Sequence, residues 1–244
     1  MSIIFLVKYH LFSLIFLLLM SFTQLPAYAE KIIPSGKNSF IFINNQEKKS
    51  MNQVITNSNS TLKLYGGTRS RASIIQWYLE EINLDYNYIL IDMAQKEHLQ
   101  SPFLELNPFG KVPVIVDGDF KLWESGAILL YLAEKYGNEI NSLEEKSIIN
   151  QWILFANSTL ATGLFIEANR EKEMSQLLPP LENILQKNSY LLGENFTVAD
   201  VAVGSMLAYT QILLKLDLSN YPAITNYIQR IIQRPAFMNT IGKR

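Results

Sequence analysis

Cysteine is absent from the 244 residues, and histidine is nearly so, with only His10 and His98. The first absence excludes disulfides, thiolate metal sites and any mechanism in which a protein thiol attacks a substrate. The second leaves almost nothing from which to build a histidine-rich metal site or a Ser/His/Asp triad. An excess of one charge is also missing, because 21 Lys and Arg balance 22 Asp and Glu. Whole-chain charge therefore gives no reason to expect nucleic acid or anionic lipid as a partner.

Apolar sequence is present in quantity, at 48% of the residues, and it is enough for the core of one large or two small domains. Part of it lies in residues 1–29, where Lys8 is followed by an apolar run and by small residues up to Ala29. This order is typical of a secretory signal peptide that is cleaved after Ala29. The run is shorter than the roughly 20 apolar residues that a bilayer span needs. The leader predicts export to the periplasm or beyond.

Residues 30–60 are rich in Asn, Lys, Ser and Ile and lack sustained periodicity, which predicts a disordered linker. Met51 lies within this segment and offers a second interpretation, in which translation starts there and the protein is cytoplasmic. N-terminal sequencing of the native protein separates the two. A chain that begins at Met51 or Asn52 would overturn export.

From residue 61 onward, strand and helix patterns alternate. Residues 62–65 are β-prone, and apolar positions then recur at helical spacing over residues 70–83, with Ser70 or Thr68 as candidate cap. Residues 86–91 again have strand composition. The order β, α, β predicts a parallel pair of strands joined by a helix.

The α/β pattern continues to residue 137. In order, the sequence predicts a short helix over 94–104, a break at Asn107–Gly110, a hairpin of strands 112–116 and 120–123 around Asp117-Gly118-Asp119, and a helix from Ser125 to Gly137. Residues 61–137 therefore form one domain with the order βαβ-α-ββα.

The rest of the chain is predicted to be helical, with a polar linker over 138–146 and an all-helical domain over 147–244. Pro179-Pro180 is expected to break or start a helix. Thr197 and Asp200 have the spacing of a capping box, which predicts a helix that begins after Thr197 and runs to about Leu214.

Three clusters in the α/β domain lie where a sheet of this order presents its open end: the Tyr65–Ser73 turn, Asn107–Pro113 and Glu124-Ser125. Each alone has an ordinary structural explanation, such as a helix cap or a solvated charge. Pro113 is less ordinary, because proline within an apolar strand removes a ladder donor and belongs at a strand start or edge.

Taken together, the clusters resemble the glutathione transferase superfamily over about residues 61–240. The resemblance rests on Leu64-Tyr65-Gly66 with Ser70, on Asn107 to Pro113, on Leu122 to Ser125 with Ile128 and Tyr131-Leu132, and on the Phe196–Asp200 capping box. The run from Tyr65 to Trp77 is most similar to the cyanobacterial chi-like members. The resemblance implies a thioredoxin-like α/β domain followed by an all-helical domain.

It also implies how glutathione binds. In the family, the residues at Glu124 and Ser125 hold the γ-glutamyl end, with the ammonium on Glu124 and the carboxylate on Ser125 and helix amides. The residue before the cis-proline, here Val112 before Pro113, pairs its backbone with the cysteinyl unit. Lys111 is expected near the glycine carboxylate.

For the thiol, the family uses a tyrosine, serine or cysteine near the end of the first strand, and this chain has no cysteine. Ser70 occupies the serine-type position, with Arg71 as assistant, and is the favoured candidate. The run Tyr65-x-x-x-Arg69-x-Arg71 also matches the tyrosine-type pattern, so Tyr65 stays open as the alternative. Either hydroxyl would help lower the thiol pKa from about 8.5.

The resemblance implies a glutathione transferase of the detoxification type, with glutathione as co-substrate, a small electrophile as partner and no metal. Homodimerisation is expected on the same ground. Glutathione-dependent peroxide reduction uses the same thiolate and is not separated from conjugation by the sequence. A non-catalytic binding or assembly module is the rival from another class. Thiol-disulfide exchange of the glutaredoxin kind is disfavoured because it requires a nucleophilic cysteine.

Overall fold

The computed structural model describes residues 61–243. The predicted signal peptide of residues 1–29, the predicted linker of residues 30–60 and the alternative start at Met51 lie outside the described residues.

A four-stranded mixed sheet forms the first half, in the order β2-β1-β3-β4. The strands are β1 Leu62–Gly66, β2 Tyr86–Leu90, β3 Val114–Asp117 and β4 Phe120–Trp123. β1 pairs with β2 in parallel, and β3 is antiparallel to both β1 and β4. The helix between β1 and β2 makes the parallel pairing possible, because parallel neighbours need a long crossover. The predicted βαβ unit and hairpin are therefore both present.

Three helices accompany the sheet: α1 Ala72–Glu81, α2 Ser101–Leu104 and α3 Ser125–Lys135. Leu62 and Leu64 of β1 are buried in the main apolar core together with α1 and α3. Tyr65, the next residue along β1, belongs to a second apolar cluster that contains Phe103 of α2. This alternation follows the period of two in a strand. It confirms the predicted thioredoxin-like half.

The segment predicted as one short helix over 94–104 is different. It contains a 3₁₀ turn at Glu97–Leu99 and the four-residue α2. The two are separated by Gln100, whose φ of −96° and ψ of 156° are extended. Pro102 lies in the first turn of α2, where its missing N–H costs nothing. The proline therefore marks a helix start and divides the segment.

The second half is helical throughout, as predicted. Its helices are α4 Leu143–Leu154, α5 Ala161–Phe165, α6 Arg170–Leu185, α7 Val198–Leu214, α8 Pro222–Ile232 and α9 Pro235–Asn239. A π-helical segment, Phe155–Leu160, joins α4 to α5. α4 begins four residues earlier than residue 147, within the predicted linker, because Ser142 accepts a hydrogen bond from the Glu145 amide at 3.1 Å and caps the helix. None of the helices in residues 61–243 is long and apolar enough to cross a membrane.

The prediction that Pro179-Pro180 breaks or starts a helix is wrong, because both prolines lie inside α6. Each proline removes one N–H from the helical hydrogen-bond pattern. Pro179 and Pro180 are exposed, and so are Ser175 and Gln176 one turn earlier, whose carbonyls lose these donors. Water can therefore satisfy the freed carbonyls. The buried face of α6, with Leu178 and Leu181, holds the helix together across the interruption.

The predicted helix start at Thr197 is present, since Thr197 is the N-cap of α7 and the helix ends at Leu214. The Thr197 amide donates to Asp200 Oδ2 at 2.9 Å. Asp200 is fully buried and also accepts hydrogen bonds from the Leu191 amide at 2.9 Å and the Tyr227 hydroxyl at 3.0 Å. The carboxylate therefore joins the loop before α7 to α8 as well as capping α7.

Asp117 at the end of β3 holds the hairpin against α3. Its Oδ2 accepts hydrogen bonds from Tyr131 at 2.7 Å, Tyr136 at 2.6 Å and Lys135 at 2.6 Å. Burial alone would raise the pKa of Asp117, but the hydrogen bonds from these three residues outweigh it and lower the pKa below its usual range. The ionised carboxylate is therefore stabilised in the folded state.

Asp117→Asn is expected to reduce the free energy of unfolding by about 1–2 kcal/mol at neutral pH, because it removes a charge-assisted acceptor. A carboxyl whose pKa is lowered by folding stabilises the protein above the unfolded pKa of about 3.9. That stabilisation is lost as the pH falls through the folded pKa. Urea unfolding at several pH values should show the difference from wild type shrinking below about pH 4. Asp119→Asn, in the same turn, is the control, and a pH-independent difference for Asp117→Asn would contradict the assignment.

Candidate functional site

The register of the sheet brings the three predicted clusters to one end. Tyr65, near the end of β1, pairs with Val114, which pairs in turn with Trp123 of β4. Pro113 directly precedes Val114, and Glu124 directly follows Trp123. The loop before α1, the Val112-Pro113 segment and the start of α3 therefore lie side by side.

Ser70 lies in the loop that leads into α1. Its hydroxyl donates to the Gly67 carbonyl at 3.0 Å and accepts from the amides of Gly67 at 3.1 Å and Ala72 at 3.3 Å. Arg71 is the N-cap residue of α1, but its side chain does not cap the helix. The hydroxyl that accepts from the first amide of the helix, that of Ala72, belongs to Ser70, so Ser70 caps a first-turn amide as predicted. The first turn of α1 carries no acidic residue to offset the positive end of the helix dipole. The hydroxyl is thus held where an anion is favoured.

A cavity of about 430 Å³ opens beside this loop. Its polar side is formed by Arg69, Ser70 and Arg71. The other lining residues come from the helical half and are Phe165, Met206, Tyr209, Ile212, Leu213 and Ile241. A small apolar molecule fits such a cavity, with its polar or reacting part next to Ser70.

Tyr209 connects the helical half to the Ser70 loop. This connection was not predicted from the sequence. Its hydroxyl lies 2.7 Å from the Ser73 hydroxyl. Ser73 is buried and also lies 3.0 Å from the Ser70 carbonyl, to which its hydroxyl donates. This contact spans 136 positions of sequence, and nothing in the local pattern around Tyr209 signals it.

Asn107 shapes the segment that leads to Pro113. It is buried, its amide donates to the Lys111 carbonyl at 2.8 Å, and its Oδ1 accepts from the Phe109 amide at 3.0 Å. The Val112–Pro113 peptide bond is cis. The ladder between β1 and β3 ends at Val114, so Val112 lies beyond the paired part of the sheet. Lys111 is exposed next to it.

Glu124 and Ser125 stand at the start of α3. Ser125 is the first residue of the helix, as predicted, and Glu124 is its N-cap. Ser125 is only 4% exposed, whereas Glu124 is exposed. The φ of Glu124 is 73°, a left-handed value that costs a residue other than glycine about 1–3 kcal/mol. Such strain is concentrated at functional sites.

Asn157 in the π-helical segment is a further residue that sequence reasoning missed. Its Oδ1 is 3.4 Å from Arg71 Nη1 and 3.4 Å from Ser125 Oγ. It therefore connects the loop before α1 with the start of α3. No local sequence pattern signals this role, because the two contacts of Asn157 span 86 and 32 positions of sequence.

Tyr65 lies in the apolar cluster around Phe103 and not at the cavity. Its ring packs edge-on against Phe103, with the ring centroids 6.3 Å apart, and it shares an apolar cluster with Val112 and Trp123. It is not among the residues that line the cavity. Within residues 61–243, no group of His, Cys, Asp and Glu is arranged to hold a metal ion.

Comparison with known proteins agrees with this arrangement. The family described as "Glutathione S-transferase, N-terminal domain" matches residues 60–134, and "Glutathione S-transferase, C-terminal domain" matches residues 166–235. The disulfide-bond oxidoreductase YfcG of Escherichia coli is 31% identical over 199 residues, which cover 72% of this chain and 92% of the relative. The chain belongs to the glutathione S-transferase family.

Two further relatives of this glutathione transferase agree in sequence and in fold. A glutathione S-transferase of Hyoscyamus muticus is 29% identical over 206 residues, covering 74% of this chain and 97% of the relative. The crystal structure of glutathione transferase URE2P6 from Phanerochaete chrysosporium, in complex with oxidized glutathione, superposes with a TM-score of 0.66. That match is 25% identical and covers 76% of this chain and 96% of the other.

Proposed function

We propose that this glutathione transferase joins the sulfur of its co-substrate, glutathione, to small apolar electrophiles bound in the cavity beside Ser70. The observation that carries the proposal is the position of the cavity, whose polar side includes Ser70 and whose other side is apolar. A thiolate held at Ser70 would face an electrophile without leaving its own subsite. Proximity of this kind replaces a bimolecular encounter with a step between two bound molecules.

The proposed glutathione subsite follows the end of the sheet. Val112 lies beyond the paired part of β1 and β3, which supports the proposal that its backbone pairs with the cysteinyl unit of glutathione. Glu124 is exposed next to the buried Ser125, so an ammonium and a carboxylate have opposite partners on adjacent residues. Lys111 is exposed at the other end of this edge and is proposed to lie near the glycine carboxylate.

In the proposed reaction, the Ser70 hydroxyl turns from the Gly67 carbonyl to the sulfur and donates to it. The positive end of α1 favours the same negative charge. The thiolate then attacks the electrophilic carbon, a C–S bond forms, and the leaving group departs with the electron pair of the broken bond. With 1-chloro-2,4-dinitrobenzene the products are the aryl thioether of glutathione and chloride.

The position of the electrophile is tested by narrowing the cavity. Ile212 lines the cavity but is 47% exposed, so Ile212→Trp adds bulk there without disturbing the core. We expect kcat/KM for the electrophile to fall by about tenfold, because the tryptophan takes up space in the cavity where the electrophile binds. The Kd for glutathione should stay within about twofold, because glutathione does not meet the new side chain. Leu192→Trp, at an exposed leucine outside the cavity lining, is the matched control. Equal effects of the two variants on kcat/KM would show that the electrophile does not bind in this cavity.

A second candidate activity is favoured by the printed name of the E. coli relative, a disulfide-bond oxidoreductase. Because this chain has no cysteine, glutathione itself would supply the attacking sulfur. Its thiolate would attack a disulfide, form a mixed disulfide and release the other sulfur as a thiolate. Peroxide reduction is the related option, in which two glutathione molecules and a peroxide give oxidised glutathione, an alcohol and water. Mass spectrometry of the products separates a thioether, a mixed disulfide and oxidised glutathione.

The non-catalytic alternative is tested by two simple measurements. An assembly module would show neither retention on immobilised glutathione nor turnover of any of these three substrate classes. A transferase shows both. Homodimerisation is proposed on family resemblance and is tested by sedimentation equilibrium, and membership of the chi-like subgroup stays a prediction. For the compartment we keep export as the proposal, with a cytoplasmic enzyme as the alternative that N-terminal sequencing decides.

A further inference from the structure

We infer that Arg71 and Asn157, together with Ser125, bind the α-carboxylate at the γ-glutamyl end of glutathione. This inference rests on the proposed function and changes the role of Arg71. The sequence prediction makes Arg71 an assistant of Ser70 at the thiol, whereas here it acts at the opposite end of the tripeptide. Asn157 becomes a binding residue that the helical half contributes.

Arg71 contacts Asn157, which in turn contacts Ser125. Its guanidinium lies 3.4 Å from Asn157 Oδ1, and the Ser125 hydroxyl lies 3.4 Å from the same oxygen. Three side chains from three separate elements therefore meet at one atom. The guanidinium is directed toward the start of α3, where Glu124 and Ser125 are, although Arg71 is next to Ser70 in sequence.

The approach of Asn157 to α3 depends on Gly126. A Cβ at Gly126 would lie 2.5 Å from Asn157 Nδ2 and 2.9 Å from Ile153 Cγ2, which is too close for any larger residue. The amide of Asn157 is thus pressed against the first turn of α3. The π-helical segment assists, because each π turn holds about one residue more than an α turn and so changes the direction of the side chains after it.

The chemistry of this group fits a carboxylate. Arg71, Asn157 and Ser125 together offer guanidinium, amide and hydroxyl donors, and the first turn of α3 carries no acidic residue that would repel an anion. Glu124 is the adjacent carboxylate and suits an ammonium. An α-amino acid end carries one group of each kind on the same carbon, as the γ-glutamyl unit does.

Two analogues of glutathione test the inference by calorimetry. In 4-aminobutyryl-Cys-Gly the α-carboxylate is missing, and in glutaryl-Cys-Gly the ammonium is missing. We expect Arg71→Gln and Asn157→Ala each to weaken glutathione and glutaryl-Cys-Gly by on the order of tenfold, the usual effect of one hydrogen bond to a charged group. Binding of 4-aminobutyryl-Cys-Gly should change by less than about twofold, since it lacks the group that these residues contact. Glu124→Gln should show the reverse selectivity.

If Arg71 instead assists Ser70 at the thiol, the same variants should behave differently. An assistant at the thiol would weaken all three ligands alike, and its removal would raise the thiol pKa of bound glutathione, measured by the ultraviolet absorbance of the thiolate. Equal losses for all three ligands, or a raised thiol pKa in Arg71→Gln, would overturn the inference. An unchanged thiol pKa with selective loss of the two carboxylate ligands supports it.

Two controls make the result decisive. Arg69→Gln removes the same charge from the same loop. Acting through the overall field alone, it should weaken the three ligands in the order of their negative charge, glutaryl-Cys-Gly most and 4-aminobutyryl-Cys-Gly least, and each by less than about threefold. A selective loss as large as that of Arg71→Gln would contradict a direct contact of Arg71 with the carboxylate. Arg71→Lys restores the charge and should recover part of the lost affinity. A wild-type protein that binds none of the three peptides would refute the proposed function, whereas binding without selective loss in Arg71→Gln would refute this inference alone.

Discussion

Ser70→Ala is expected to lower kcat/KM for glutathione conjugation by about 100-fold, the usual effect of removing one preorganised donor to a developing or bound anion. Ser70 lines the cavity, and its hydroxyl is held by Gly67 and Ala72 at the start of α1. Without this donor, the thiol of bound glutathione keeps a pKa closer to its ordinary value of about 8.5, so less thiolate is present at neutral pH.

The measurement is a pH titration of the thiolate absorbance of bound glutathione, with conjugation rates measured alongside it. Ser70→Thr keeps a hydroxyl and should retain most of the activity. Tyr65→Phe is the matched comparison, because Tyr65 is the alternative hydroxyl and packs against Phe103 away from the cavity lining. A shifted thiol pKa in Tyr65→Phe, with none in Ser70→Ala, would transfer the role to Tyr65.

Asp200→Ala is expected to reduce the free energy of unfolding by about 4 kcal/mol, which is among the largest effects of a single substitution. Asp200 is fully buried and accepts hydrogen bonds from the Leu191 amide, the Thr197 amide and the Tyr227 hydroxyl. Alanine leaves these buried donors without an acceptor, at about 1–3 kcal/mol for each unsatisfied group. Urea unfolding followed by circular dichroism measures the change.

Thr197→Ala is the matched control for the cap itself. Thr197 Oγ1 donates to Asp200 Oδ2 at 3.2 Å, and its loss removes one partner while the carboxylate stays in place. We expect a loss of about 1 kcal/mol. If Asp200→Ala reduces the free energy of unfolding no more than Thr197→Ala does, the buried carboxylate does not hold α8 to the loop that precedes α7. That result would contradict the connection indicated by the hydrogen bonds.

Local signals in the sequence were sufficient for much of the fold. The alternation of strand and helix before residue 91, the Asp117-Gly118 turn and the spacing of Thr197 and Asp200 each depend on neighbours within a few positions. Interactions of this range can be read from a single chain. The three candidate clusters meet at one end of the sheet because β1, β3 and β4 are neighbours and their register brings these ends together.

The errors arise where distant packing decides. α6 continues through Pro179 and Pro180 because its buried face packs in the core and its exposed carbonyls reach water, which no propensity rule includes. Asn157 and Tyr209 reach the site across 86 and 136 positions of sequence, to Arg71 and Ser73. The π-helical segment around Asn157 has no recognisable sequence pattern. These parts of the site depend on how the helical half lies against the sheet.

We propose that glutathione binds at the end of the sheet with its sulfur ionised. Calorimetric titration of the folded protein with glutathione, repeated in buffers of different ionisation enthalpy, tests it most directly. We expect a measurable heat of association together with release of a proton from the thiol at neutral pH. A folded protein that gives no heat with glutathione, or that binds it without releasing a proton, would contradict it.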